Sequence, residues 1–266
     1  MIRSSRFERI ALAKRAAHPT YPNPTLVEAL CEVHLRLGPE RPWRPTTASE
    51  LYKRIQDRYP TFEPINELGV QISFGSQGVI PQVAAPRTRM KFTHRDRPVL
   101  LQLSEQVLTL NVLKPYPGWA VMREELLKIW PPVLQVLEPI AVRRIGLRYI
   151  NRIEKTSNDE KAGAWLKSTD YIPRSILLSV SGSALRVECR VNSEDHVILT
   201  LVDQPPQRSE DRGTLIFDID RIRESEMEPT EASILDVIEQ LHNDVWKIFA
   251  KAKTRRLEQL LAGEMR

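Results

Sequence analysis

The stretch Ile140-Ala-Val-Arg-Arg-Ile-Gly-Leu-Arg-Tyr-Ile-Asn-Arg-Ile153 decides how the rest of this chain is read. It is rich in Ile, Val and Tyr, residue types that suit a pleated, half-buried surface. As a strand, its period of two puts Arg144, Arg148 and Arg152 on one face and Ile145, Leu147, Tyr149 and Ile153 on the other. A row of three guanidiniums must meet carboxylates, phosphates or water, because an unpaired buried charge is too costly.

Working outward, a second strand of the same kind follows Tyr21-Pro-Asn-Pro24. From Thr25 to Leu37, Val27, Ala29, Cys31, Val33, Leu35 and Leu37 face one way, and Glu28, Glu32, His34 and Arg36 the other. After the Pro-rich loop Gly38–Pro45, Thr46 or Thr47 caps a short helix through Arg58. A weak strand over Gly69–Phe74 precedes strands at Thr88–His94, Val99–Leu103 and Val107–Leu113, and Gly75–Pro86 reads as a Gly/Pro-punctuated mobile loop. A helix from about Gly118 carries Trp119, Met122, Leu126 and Ile129 or Trp130 as its apolar stripe, and Pro131-Pro132 is expected to kink or break it. The Ile140–Ile153 strand is followed by a helix through Ala162–Leu166. Strands come next at Ser175–Val180, Leu185–Val191, Val197–Val202 and Thr214–Ile219, then a long helix from Thr230. Ser181-Gly-Ser183 reads as a hairpin turn.

Both halves therefore read β-α-β-β-β-β-α, offset by about 115 residues from Pro24 to Pro139. The expected fold is α+β, with two such repeats sharing one curved antiparallel sheet and helices packed on one side. Residues 1–20 form a basic arm or short helix, 21–138 the first repeat and 139–266 the second, within one globular unit. This order resembles the duplicated fold of the TATA-binding-protein-like superfamily, a likeness of topology that carries no function. A one-residue slip between the two first strands would invert every side chain, so either the repeats align one residue further on or a bulge lies near Gly146.

In such a sheet the two first strands lie side by side at the centre. Glu28, Glu32, His34 and Arg36 then face Arg144, Arg148 and Arg152. Two readings stand: an internal Glu–Arg ladder across the seam, or a polar floor that binds an anionic or peptide partner.

Composition admits few specialised classes. The 266 residues carry a net charge of +5 with 27% charged and 41% apolar residues, and the pI is near 9.3. That is a soluble globular profile, mildly basic and open to acidic partners. No apolar run approaches the ~18 residues of a membrane span. Cys31 and Cys189 sit at alternate positions of apolar runs and read as reduced core residues of a cytoplasmic protein.

Catalytic constellations are missing from the pattern. Gly75-Ser-Gln-Gly78 lacks the Lys-Ser/Thr of a phosphate loop, and no Gly-x-Ser-x-Gly elbow occurs. The five histidines are scattered, and two cysteines cannot build a zinc site alone. Asp218 with Asp220, or His34 beside Glu32, are better read as sheet-face polar groups than as a metal site or a general base. No cofactor is expected. The segment Arg87–Arg97 holds five basic residues, with Arg89, Lys91 and Arg95 read on one face and Phe92 on the other. That pattern would neutralise phosphates without stacking bases, or blunt a sheet edge.

Three segments, Pro22-Asn-Pro-Thr-Leu-Val-Glu28, Leu110-Asn-Val with Tyr116-Pro-Gly-Trp119, and Arg144-Ile-Gly-Leu-Arg-Tyr-Ile-Asn-Arg-Ile153, carry a resemblance to one family. It is a sporadically distributed, uncharacterised bacterial family of about this length, and the likeness runs from Tyr21 to near the C terminus. It implies no activity; the patchy distribution points to mobile or defence-related gene neighbourhoods. The expectation is thus a non-catalytic binding or regulatory protein with a protein partner. The alternative is a nucleic-acid-binding regulator that uses its basic strand faces.

Overall fold

The computed structural model describes residues 18–40, 42–44, 46–67, 70–75, 78–83, 87–167, 182–208 and 210–265. The N-terminal arm Met1–Ala17 and the expected strand Ser175–Val180 lie outside the described residues. In chain order the elements are β1 (Leu26–Leu37), α1 (Thr47–Ile55), β2 (Thr61–Glu67), β3 (Val70–Gly75), β4 (Gly78–Val83), β5 (Arg87–Thr93), β6 (Val99–Leu103) and β7 (Val107–Leu113). There follow α2 (Trp119–Leu137), β8 (Pro139–Glu154), α3 (Ala162–Trp165), β9 (Ser183–Arg190), β10 (Asp195–Gln204), β11 (Thr214–Arg223), α4 (Glu231–Ala252) and α5 (Arg255–Leu261). The fold is α+β. Among the described residues nine strands form one antiparallel sheet in the order β2-β5-β6-β7-β1-β8-β11-β10-β9.

The two strands with the strongest alternation meet at the centre, where β1 pairs with β8. One face of β1 buries Ala29, Cys31, Val33 and Leu35, and one face of β8 buries Ile145, Leu147 and Ile153. These side chains join two core clusters with the helices. Leu51, Ile55, Met122, Leu126, Trp130, Ile238 and Leu241 complete the first. Trp165, Val245, Phe249, Leu257 and Leu261 complete the second, around Ile153, Leu215 and Ile219. Burial at ~1.5–3 kcal/mol per large apolar side chain makes this face the main source of stability.

Four expectations change. Gly75–Pro86 does not form a loop throughout: β3 and β4 make a two-stranded hairpin that closes at Gly75 opposite Gly78. An additional strand, β2, precedes it and pairs with β5. Helix α2 runs from Trp119 to Leu137 through both Pro131 and Pro132. Proline inside a helix costs ~3 kcal/mol or more, yet Leu126, Ile129, Trp130, Val133 and Leu137 are all buried along the same helix and outweigh it. Cys189 is exposed while Cys31 is buried. The reason is position: β9 ends the sheet order, and Val187 on its inward-facing row is also exposed.

The register near Gly146 is regular. Gly146 faces Glu32 on β1, within the continuous run Glu28–His34, and Ile222 on β11 in an unbroken ladder. The nearest irregularity falls at His34, which pairs with Arg144 while Leu35 pairs with Val142, so Arg143 is the extra residue; two further shifts lie at Leu26/Glu28 and Arg36/Leu37.

Candidate functional site

The outward face of the central strands brings the sequence's charged residues together. Arg144 Nη1 donates to Glu32 Oε1 at 2.6 Å and lies 2.6 Å from His34 Nε2, while His34 lies 2.6 Å from the same carboxylate. Arg144 Nε also sits 3.6 Å from Glu224. Burial raises the Glu32 pKa, but the hydrogen bond and electrostatic pull of His34, and then those of Arg144, outweigh it and bring it down to about 2. Gly146 lies beside this arrangement: a Cβ there would stand in ordinary contact, 3.7 Å from Asp220 Oδ1 and 3.8 Å from an Arg144 nitrogen.

Arg148 does not pair with Glu28. It donates to Asp218 through Nε at 2.9 Å and Nη2 at 2.6 Å, a two-pronged contact across β8 and β11. Glu28 instead accepts from Asn111 Nδ2 at 2.7 Å. Arg152 is exposed and makes no ion pair with the described residues. The three arginines thus have three different environments.

The basic segment is compensated in the same way. Arg89 donates to Thr109 Oγ1 at 3.2 Å and lies 3.9 Å from Glu32. Lys91 pairs with Glu63 on β2 at 2.5 Å. Arg95 is not on their strand face: β5 ends at Thr93, and Arg95 is exposed in the turn before β6. The turn breaks the two-residue period, and the His94 that precedes it is turned inward, 3.9 Å from the fully buried Glu125. That carboxylate, on α2, also accepts from Arg58 at 2.6 Å and from Tyr59 at 2.9 Å, which ties α1 to α2.

Asp220 stands beside this charge network. Burial pushes its pKa up to about 6 against the pull of Arg144 and Arg148. No group of three or more His, Cys, Asp or Glu positioned to hold a metal ion occurs among the described residues. No described helix is long and apolar enough to cross a membrane.

A second feature lies on the helix side of the same strands, and no candidate residue drawn from the sequence belongs to it. A cavity of about 220 Å³ opens between the two core clusters. The chain segment His18–Leu26, the start of α2, Tyr149 and Asn151 of β8, and the C-terminal half of α4 surround it. Gly118 precedes α2 with φ of +102°, a left-handed-side conformation that favours glycine, and this turns the chain so that Tyr116 and Trp119 both reach the cavity. Inside, Tyr116 and Tyr149 share a hydroxyl–hydroxyl hydrogen bond of 3.0 Å, and the Tyr149 hydroxyl lies 3.0 Å from His242 Nδ1. The His242 ring stacks on Trp119 with centroids 4.1 Å apart and planes 8° apart. Burial and then the neighbouring His18 bring the His242 pKa down to about 3; burial raises Tyr116 to about 12 and Tyr149 well above its ordinary value. The network is therefore neutral at physiological pH.

These lining residues come from chain positions far apart, which is why alternation and spacing do not reveal them. One sign is present: Pro24 to Leu26, Tyr116 to Trp119, and Tyr149 with Asn151 belong to the three segments that carry the family resemblance, and all line this cavity. No protein-family model matches the chain, and no curated protein matches it.

Proposed function

We propose that this chain is a non-catalytic bacterial binding and regulatory protein that engages a protein partner through the outward face of its sheet. The observation that carries the reading is the pairing of charge on that face. Arg144, Arg148 and Lys91 each meet a carboxylate within 2.6 Å, so of Arg144, Arg148 and Arg152 only the last keeps an uncompensated charge to neutralise phosphates. Between the charges, Leu30, Ile150 and Ile216 remain partly exposed. Apolar area ringed by paired polar groups matches the make-up of protein interfaces. The same pairing weighs against the alternative of a nucleic-acid regulator.

The strand order supports a duplicated architecture for this face. On one side of the centre it runs outward β1-β7-β6-β5-β2, and on the other β8-β11-β10-β9. We read these as two repeats of the TATA-binding-protein-like β-α-β4-α kind, with four sheet strands following β1 in the first, three described strands following β8 in the second, and the β3–β4 hairpin as an insertion in the first. Membership of the sporadic bacterial family, a cytoplasmic location and a mobile or defence-related gene neighbourhood belong to the same proposal.

Affinity capture from the native host tests it, with the full chain as bait beside the double variant Leu30→Glu/Arg152→Glu. The expected result is a stoichiometric protein held by the wild type and lost from the variant, at unchanged melting temperature. Capture of no stoichiometric protein, or equal capture by both baits, overturns the proposal.

A further inference from the structure

We propose that the cavity between the two core clusters is a binding site for a small, uncharged, planar aromatic molecule of bicyclic size that carries one hydrogen-bonding atom. Size is the first argument. A dry cavity of roughly 150 Å³ accepts benzene, and the 220 Å³ here leaves room for a second fused ring. The walls are the second. Tyr21, Tyr116, Trp119, Tyr149, Trp246 and Phe249 all line it, and flat rings gain most from offset or edge contacts with other rings.

Charge narrows the class. Among the described residues no Asp, Glu, Lys or Arg lines the cavity. His18 also lines it, with its Nε2 engaged by Asn243 Oδ1 at 2.7 Å, so an ionised ligand would shed its hydration there with no Asp, Glu, Lys or Arg to replace it.

The last argument separates a site from a packing defect. His242 is only 8% exposed. Its Nδ1 is engaged by Tyr149, whereas Nε2 has no hydrogen-bond partner among the described residues. That nitrogen is not sealed off, so it is open to a ligand or to water, and a neutral imidazole keeps one donor or one acceptor there. Trp119 and Tyr149 hold the ring in place from two directions. A ligand atom that matches Nε2 supplies the missing partner while its rings fill the aromatic walls. This site lies on the opposite side of β8 from the proposed protein interface and stands independently of it.

Calorimetric titration of the full chain with indole and with quinoline tests the proposal. One probe offers an N–H donor and the other a ring-nitrogen acceptor, so one of them matches either tautomer of His242. We expect saturable one-to-one binding of at least one probe with Kd at or below about 1 mM. The anionic indole-3-carboxylate should bind at least about tenfold more weakly. His242→Phe keeps a ring against Trp119 and removes Nε2, and should weaken the preferred probe by about tenfold, the value of one lost hydrogen bond. Val245→Phe fills the cavity and should abolish binding. Should that variant melt early, His242→Phe still decides the matter. No saturable binding of either probe, preference for the anion, or wild-type affinity in His242→Phe would each overturn the assignment.

Discussion

The imidazole of His242 shows how one side chain can set a pH response. It is stacked on Trp119, bonded to Tyr149 and enclosed by the cavity wall. Burial first, and the adjacent His18 second, bring its pKa from 6.5 down to about 3. The unfolded chain takes up this proton as pH falls through 6.5, and the folded chain does so only near 3. The contribution to stability is therefore complete above 6.5 and declines steadily on acidification. Asp220 acts in the opposite sense. Its carboxyl holds a proton up to about 6 when folded but only to 3.8 when unfolded, so it favours the folded state as pH falls through that window. Comparing unfolding of the wild type with His242→Phe isolates the imidazole. Between pH 7 and 4.5 the wild type should lose stability faster than the variant, and parallel profiles would show that His242 is not buried as a neutral group.

At the scale of elements, β1 and β8 divide what alternation reveals from what it does not. The inward rows of both strands, Ala29 to Leu35 and Ile145 to Ile153, are plain from period two alone. So is the common face of Arg144 and Arg148. Which carboxylate meets each arginine is not, because that depends on register and on the third strand. Glu32 reaches Arg144, but Asp218 on β11, rather than Glu28 on β1, reaches Arg148. The bulge at Arg143 and the continuous helix through Pro131-Pro132 escape for a related reason: local propensity is overruled by tertiary packing. The seam pair gives a measurable quantity. Glu32 and Arg144 are each about a quarter exposed, so their coupling lies above that of a typical surface pair. A double-mutant cycle of Glu32→Gln and Arg144→Met in denaturant should give about 1 kcal/mol of interaction. A value near zero would mean that the ladder does not hold the two central strands together.

At the scale of the molecule, the nine strands of the main sheet among the described residues carry helices on their buried face and a largely compensated mixture of charges on the other. The fold class was legible because the strands are strongly periodic and the helices amphipathic. The aromatic cavity was not, since Tyr21, Tyr116, Tyr149 and Trp246 converge only once β1, α2, β8 and α4 are packed. Net positive charge, read alone, suggested an anion-binding surface; pairing in three dimensions removes most of that surplus from the sheet face. Titration of the full chain with single-stranded and duplex DNA and RNA at 50 and 200 mM salt tests this compensation most directly. The account predicts weak binding whose affinity changes by no more than about fourfold between the two salts, as expected when at most one phosphate is neutralised. A fall of a hundredfold or more that disappears in Arg144→Ala/Arg148→Ala would contradict it and make the face a phosphate-binding surface.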